Sequence, residues 1–374
     1  MKILMLSDPN SPHTIKWATS LSKKGIKIIL FGLGDLRTDI YSKYDIEVWT
    51  IKAKITRNLG SLSKVRYLRS LPLIKKLIKR YKPDILHAHY ASSYGLIGAL
   101  TNFHPFVVSA WGGDVFDFPK KSIVHKKTLE FILKKADKIL ATSNVLAKET
   151  NLYTDKSVEV TPFGIDINVF KPMKVESVFN KNDIVIGTIK ALEEKYGIEY
   201  LIKAFKILVD KYPDKPLKLL IVGGGSLEDA MRELIKNLNI TTKTVMTGKI
   251  PYEEIPKYHN MLSIYVALSI LDSESFGVAI LEAQACEKPV VVSKVGGLPE
   301  VAENGVTGFI VPPKNPDAAA KAIEKLILDE TLRANMGKAG RKRVEKLYSW
   351  DKCVEQMIEI YEEITAKKKY YSEH

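Results

Sequence analysis

Glu274 and Glu282, with seven residues between them, bracket the stretch of this sequence best suited to chemistry. Apolar residues from Phe276 to Ala285 recur at helical spacing, so a helix is predicted over 276–286, with Glu274 just before it and Glu282 about two turns in. Gly277 lets the backbone approach a ligand closely. The N–H groups of Ser275, Phe276, Gly277 and Val278 open that helix without intrahelical acceptors. A diphosphate there would gain hydrogen bonds and the favourable end of the helix dipole. A carboxylate beside such a turn makes sense if it serves another group. Sugar hydroxyls are such a group, because an ionised carboxylate accepts strong hydrogen bonds. The plainer alternative is that Glu274 caps the helix and Glu282 lies on the surface.

Other chemistry-bearing residues also fall at predicted strand ends. Lys190 and Lys195 follow a strand and lead into a helix. Gly223, Gly224 and Gly225 follow another strand, but a dinucleotide fingerprint needs a further glycine where Glu228 stands. This turn is read as close-packed. Trp111, Gly112, Gly113 and Asp114 end a third strand. Asp114 could orient donor or acceptor hydroxyls, or cap a helix. His13 and Lys16 lie where the first strand gives way to the first helix and are candidate contacts for an acceptor or a phosphate. His87 and His89 read as structural histidines. No Asp-x-Asp occurs, and no Cys/His cluster has ligand spacing. A metal-held diphosphate is therefore disfavoured, and neither a metal nor another cofactor is expected.

The elements that must position these residues alternate regularly. Strand-like runs at 1–6, 26–31, 46–49, 84–87, 106–110 and 138–141 are separated by helical patterns at 12–24, 62–81, 92–101, 121–135 and 143–151. The rhythm restarts with strands at 184–188, 217–222, 244–247, 263–267, 289–293 and 308–311, and helices at 198–212, 227–237, 252–260, 276–286 and 317–329. Short Ile/Leu/Val runs alternating with helices imply βαβ units and parallel sheets. Ser226 with Asp229 gives a capping-box signature, and Asn315 before Pro316 gives a helix start. The 374 residues therefore divide into an α/β domain over 1–170 and a second over 171–349, with a final helix at 350–366 packing back on the first. Two doubly wound domains with their strand ends facing across a cleft would place a ligand between them.

Composition narrows the class. No run reaches the roughly 20 apolar residues that a bilayer span needs. Cys286 and Cys353 are far apart in sequence, which fits a reducing cytosol. The net charge of +14 is uneven: residues 1–170 hold 27 Lys and Arg against 14 Asp and Glu, and the rest holds 30 against 29. From Lys52 to Lys82 there are 11 basic residues and no acidic one. Such a field attracts polyanions. No aromatic-basic recognition motif accompanies it, so nucleic acid is not expected. Leu62, Val65, Leu68, Leu73, Leu77 and Ile78 give this region an apolar side, interrupted by Pro72. That suggests reversible attachment to anionic membrane from the cytoplasmic face.

The segment from Asp272 to Val291 resembles the glutamate-pair region of retaining glycosyltransferases of glycosyltransferase family 4, the group 1 enzymes with the GT-B fold. So do Gly296, Gly297, Leu298, Pro299 and Glu300, and so does the stretch 304–311. The resemblance covers nearly all of residues 183–365. It implies a GT-B pair of Rossmann-like domains, with donor bound to the second and acceptor to the first. By it, Glu274 contacts hydroxyls of the donor sugar, Glu282 holds the nucleotide ribose, and the backbone at Phe276, Gly277 and Val278 holds the diphosphate. Lys190 and Lys195 occupy the family's Arg and Lys positions and neutralise the departing nucleotide diphosphate. Lys for Arg keeps the charge and gives up bidentate geometry. Gly223 belongs to a loop facing the donor. Gly112 and Asp114 match the family, whereas Trp111 replaces its usual His. Asn is commoner than Phe163 at that site.

The implied reaction is transfer of a sugar with retention from a nucleotide-sugar, a UDP-sugar first and a GDP-sugar second. The acceptor would be a glycan or a lipid-linked molecule, in cell-envelope polysaccharide or glycolipid synthesis. The competing readings are a catalytically silent sugar-nucleotide-binding protein and a GT-B-like sugar-nucleotide epimerase.

Overall fold

A computed structural model describes residues 1–51 and 65–373. It divides into two compact units, Met1–Pro162 with Cys353–His374, and Phe163–Lys352.

The first unit is built on seven parallel strands. These are β1 (Lys2–Leu6), β2 (Lys27–Leu33), β3 (Ile46–Ile51), β4 (Ile85–His89), β5 (Phe106–Ala110), β6 (Lys138–Ala141) and β7 (Val158–Val160). Their order is β3-β2-β1-β4-β5-β6-β7. Strands covered on both faces are largely apolar, and β4 and β5 are buried at every residue, with His87, His89 and Ser109 their polar members. Leu4, Phe31, Leu86, Val108 and Ile139 meet Ile74, Leu77, Ile97, Leu129 and Ile132 from the helices in one core. Burying each such side chain contributes about 1.5–3 kcal/mol.

The second unit repeats the plan with β8 (Ile184–Ile189), β9 (Leu217–Val222), β10 (Thr244–Met246), β11 (Ile264–Ala267), β12 (Val290–Ser293) and β13 (Gly308–Val311), all parallel. Their order is β10-β9-β8-β11-β12-β13. Each sheet reverses its winding at one place, between β1 and β4 in the first and between β8 and β11 in the second. Right-handed crossovers send the helices on either side of that point to opposite faces, which opens a crevice at the carboxyl ends of the two strands.

Several boundaries differ from the sequence expectations. The division falls at 162/163 rather than 170/171. Residues after Pro162 bond to the second unit, with Ile165 N–H donating to the Tyr348 carbonyl at 2.7 Å. Within the expected helix 62–81, Val65–Ser70 is a 3-10 turn and Leu71–Tyr81 the helix, started by Pro72. Residues 62–64 lie outside the described ones. Ser226 does not cap the helix Glu228–Asn237, because its hydroxyl donates to Glu193 at 2.6 Å. Asn315 does cap Pro316–Leu328 through the Ala318 N–H. The last helix, Trp350–Glu373, belongs to the first unit from Cys353 on, where Tyr361 bonds to His87 Nδ1 at 2.6 Å.

Of the apolar side expected to face a membrane, the described side chains are spent on folding, while Leu62 and the Val65 side chain lie outside the described residues. Ile74 and Leu77 are buried, and Leu68, Leu73 and Ile78 pack against the core. Lys75, Lys76, Lys79 and Arg80 stay exposed on the opposite face, while Lys52 to Lys64 lie outside the described residues. Among the described residues no helix is long and apolar enough to cross a membrane.

Candidate active site

In the second unit the predicted residues gather at the switch point. β8 ends at Ile189, so Lys190 is the first residue past the strand. The chain leaving β11 runs through 268–277 before the helix Val278–Ala285, which places Glu274 in the loop on the other side of the crevice. The two side chains meet, with Lys190 Nζ 3.0 Å from Glu274 Oε1. Both are largely shielded, with side-chain exposures of 20% and 10%. Burial alone would lower the Lys190 pKa, but the Glu274 carboxylate, with Tyr265 and Tyr196 close by, outweighs it and holds the ammonium well above the ordinary lysine value.

Lys195 is brought to the same place through Tyr196. Lys190 Nζ lies 4.5 Å and Lys195 Nζ 4.6 Å from the centre of the Tyr196 ring. Two like charges converge on one aromatic ring, whose quadrupole attracts both.

Close backbone packing fixes the loop that carries Glu274. A Cβ at Gly297 would lie 2.1 Å from the Ser275 carbonyl oxygen, and Gly297 N–H donates to the Glu274 carbonyl at 2.9 Å. Phe276 is buried and packs edge-on against Phe163 and Tyr348. On the β9 side, Gly223 lets the chain pass the Lys190 carbonyl where a Cβ would sit at 2.1 Å. It is the close-packed turn expected from sequence.

The helix begins at Val278, two residues later than expected, because Gly277 holds a left-handed φ of 98°. Among the described residues the N–H groups of Gly277, Val278 and Ala279 meet no acceptor. Glu282 stands one turn into this helix and is 5% exposed, so it is not a surface residue. Its Oε2 lies 3.3 Å from His259 Nε2. Neither His259 nor Tyr196 was singled out by sequence. The available signals were a histidine in the helical pattern 252–260 and an aromatic residue directly after Lys195.

In the first unit, Asp114 is fully buried and accepts hydrogen bonds from the N–H groups of Ala91 at 2.6 Å, Gly112 at 2.7 Å and Trp111 at 3.1 Å. Burial raises its pKa to about 6 against the pull of these donors. Sequence allowed it contact with hydroxyls or a helix cap; the helix Gly113–Phe116 has no side-chain cap, and the Asp114 carboxylate instead ties the turn before that helix to Ala91. Trp111 packs on His89 at 4.8 Å and meets His13 edge-on at 5.9 Å. His87 is satisfied at both nitrogens, by Tyr361 and by Ser109 at 2.8 Å, as befits a structural histidine. His89 is buried with Nδ1 unpartnered. Lys16 stands one turn beyond His13 on the helix Pro12–Lys23. Cys286 and Cys353 are buried free thiols, each pushed by burial up to about 12. Among the described residues no group of three His, Cys, Asp or Glu is placed to hold a metal ion.

Two doubly wound parallel α/β units in tandem, with charged groups gathered at a switch point, define a GT-B protein. A family model described as glycosyl transferases group 1 matches residues 169–343, and one described as glycosyl transferase 4-like matches 2–143. The chain belongs to the group 1 glycosyltransferases. It is 26% identical over 341 residues to an uncharacterized glycosyltransferase of Methanocaldococcus jannaschii, covering 89% of this chain and 92% of that protein. It is 26% identical over 313 residues to the N-acetyl-alpha-D-glucosaminyl L-malate synthase of Bacillus anthracis, covering 79% of this chain and 78% of that enzyme. The fold is similar to that of Anabaena HepE, crystallised in complex with UDP and glucose, with a TM-score of 0.78, 20% identity, and coverage of 97% of this chain and 100% of that one.

Proposed function

We propose that this glycosyltransferase moves a sugar, with retention, from a nucleotide-sugar to a glycan or lipid-linked acceptor in cell-envelope polysaccharide or glycolipid synthesis. A UDP-sugar is the first choice of donor and a GDP-sugar the second. The observation that carries the reading is the Lys190–Glu274 pair across the switch point, beside a helix start with open N–H groups. Sugar hydroxyls and a diphosphate both find partners there, and the binding of UDP and glucose by a protein of similar fold supports it.

In this reading Glu274 takes donor-sugar hydroxyls, and Glu282 takes the ribose. The backbone of Ser275, Phe276, Gly277 and Val278, together with the Gly223 turn, receives the diphosphate. An acceptor hydroxyl oxygen bonds to the anomeric carbon as the bond to the diphosphate oxygen breaks. The hydroxyl proton passes to a phosphate oxygen of the leaving nucleotide. Lys190 and Lys195 stabilise the charge that develops there, so no divalent ion is required of the donor site. His13, Lys16, Trp111 and Gly112 are assigned to the acceptor side, with Asp114 holding their turn. Attachment to an anionic membrane rests now on charge alone, from Lys75, Lys76, Lys79 and Arg80.

The test is incubation with sugar nucleotides and a panel of glycan and lipid-linked acceptors, with the product's anomeric configuration read by proton NMR. Transfer with the donor's configuration kept is the expected result. Inverted product would end the retention reading. Binding without nucleotide release would favour a silent sugar-nucleotide-binding protein, and an altered free nucleotide-sugar would favour an epimerase.

A further inference from the structure

His259 is one of the most deeply buried polar residues of the second unit, at 0% exposure, yet only one of its ring nitrogens has a partner. It lies on the helix Ile255–Met261, between Phe170 and Tyr265, with ring centres 6.0 and 5.5 Å away. Nε2 faces Glu282 Oε2 at 3.3 Å, and Nδ1 is buried with no hydrogen-bond partner. A carboxylate oxygen only accepts, so this contact needs the proton on Nε2, and Nδ1 has no acceptor for a second one. The proton therefore sits on Nε2 and is donated to Glu282. Aromatic walls hold the imidazole at a fixed angle, so the donated bond fixes the carboxylate's rotation about its own helix.

We propose that His259 is a positioning residue for Glu282. As the neutral Nε2–H tautomer it occupies Oε2 and aims Oε1 at the vicinal hydroxyls of a nucleotide ribose. This rests on the reading of Glu282 as the ribose contact. A carboxylate left to rotate would still tolerate a nucleotide but would no longer distinguish one that has both hydroxyls from one that has neither. His259 thus acts on selectivity for the ribose rather than on the diphosphate.

The experiment is calorimetric titration with UDP, GDP and their 2′,3′-dideoxy counterparts. The proteins are the full chain and its His259→Phe, His259→Gln and Glu282→Gln variants. Phe keeps the ring and removes the donor. Gln places an N–H at about the reach of Nε2. We expect His259→Phe to weaken the preferred ribonucleotide about tenfold and leave its dideoxy counterpart unchanged, with His259→Gln recovering part of the preference. A His259→Phe variant with the wild-type ratio of the two affinities would reduce His259 to packing and overturn the proposal, while Glu282→Gln still abolished the ratio. An unchanged ratio in Glu282→Gln would instead remove the ribose reading, and the proposal with it, as would a wild-type chain that binds neither nucleotide. If His259→Phe does not fold, nitrogen NMR of the wild-type chain decides. A protonated Nε2 with a bare Nδ1 is required, and a proton on Nδ1 contradicts the proposal.

Discussion

Lys190 Nζ and Glu274 Oε1 stand 3.0 Å apart although 84 residues separate them, and the pair closes the crevice between the ends of β8 and β11. Each group is the other's counter-ion, and in the proposed function a donor would bring a diphosphate for one and hydroxyls for the other. Lys190→Met should therefore lower kcat/KM at least about 100-fold. It should also destabilise the fold by about 1–3 kcal/mol, because Glu274 is left without its partner. Adding Glu274→Gln should restore most of the stability and none of the activity. Steady-state kinetics and thermal unfolding of the three variants check this, and additive stability losses would contradict it.

Tyr196 holds both lysines by its ring face, and its hydroxyl has no part in that contact. Tyr196→Phe should leave nucleotide affinity unchanged. Tyr196→Leu should weaken it by up to about five- to thirtyfold, since each of the two cation–ring contacts is worth about 0.5–1 kcal/mol. Nucleotide titration of the two variants separates the ring from the hydroxyl.

Gly297 passes the Ser275 carbonyl at a distance that leaves no room for a side chain. Gly297→Ala should push the loop carrying Glu274 out of place, costing about 1–3 kcal/mol in thermal unfolding. Nucleotide binding should fall with it. A variant that binds as wild type would show that this loop does not shape the site.

Acid should destabilise the first unit through its buried histidines. Burial, and secondarily the nearby His13, lowers the His89 pKa to about 3, and burial with His89 beside it lowers His87 well below its ordinary value. The unfolded chain takes up these protons near pH 6.5. Stability present above that pH is lost progressively as pH falls toward 3. Asp114 opposes this. Its folded pKa of about 6 exceeds the ordinary 3.8, so its contribution is full below 3.8 and lost as pH rises through 6. Melting temperature should fall from pH 7 to pH 4.5, less steeply in His89→Phe and more steeply in Asp114→Asn. The opposite order of slopes would refute the assignment.

The strands and most helices could be read from sequence because Ile, Leu and Val runs buried on both faces leave little ambiguity. β7 was missed because three half-buried residues make no pattern. The sequence expectations hold no element over the helix Glu330–Leu347, whose Gly337 and Gly340 are poor helix formers. Gly337 is there because the helix crosses the backbone at Glu287, where a Cβ would lie 2.1 Å from the carbonyl oxygen, and Gly340 packs against the Gln284 side chain, 3.0 Å from where a Cβ would sit. Glu274 and Glu282 could be named from their place around a predicted helix start, and Lys190 and Lys195 from the resemblance to the family. Their mutual contacts could not, since Lys190 meets Glu274 only through the order of β8 and β11, and His259 reaches Glu282 only through the packing of two helices.

The most direct test is thermal unfolding against UDP, GDP, ADP, CMP and their common sugar conjugates. A ligand at about 100 times its dissociation constant adds about 2.7 kcal/mol of stability, which shifts the melting temperature clearly. The account predicts stabilisation by one diphosphate nucleotide and its sugar conjugate, abolished in Glu282→Ala and reduced in Lys195→Ala. No shift with any of them, or a shift that survives Glu282→Ala intact, would contradict the donor site described here.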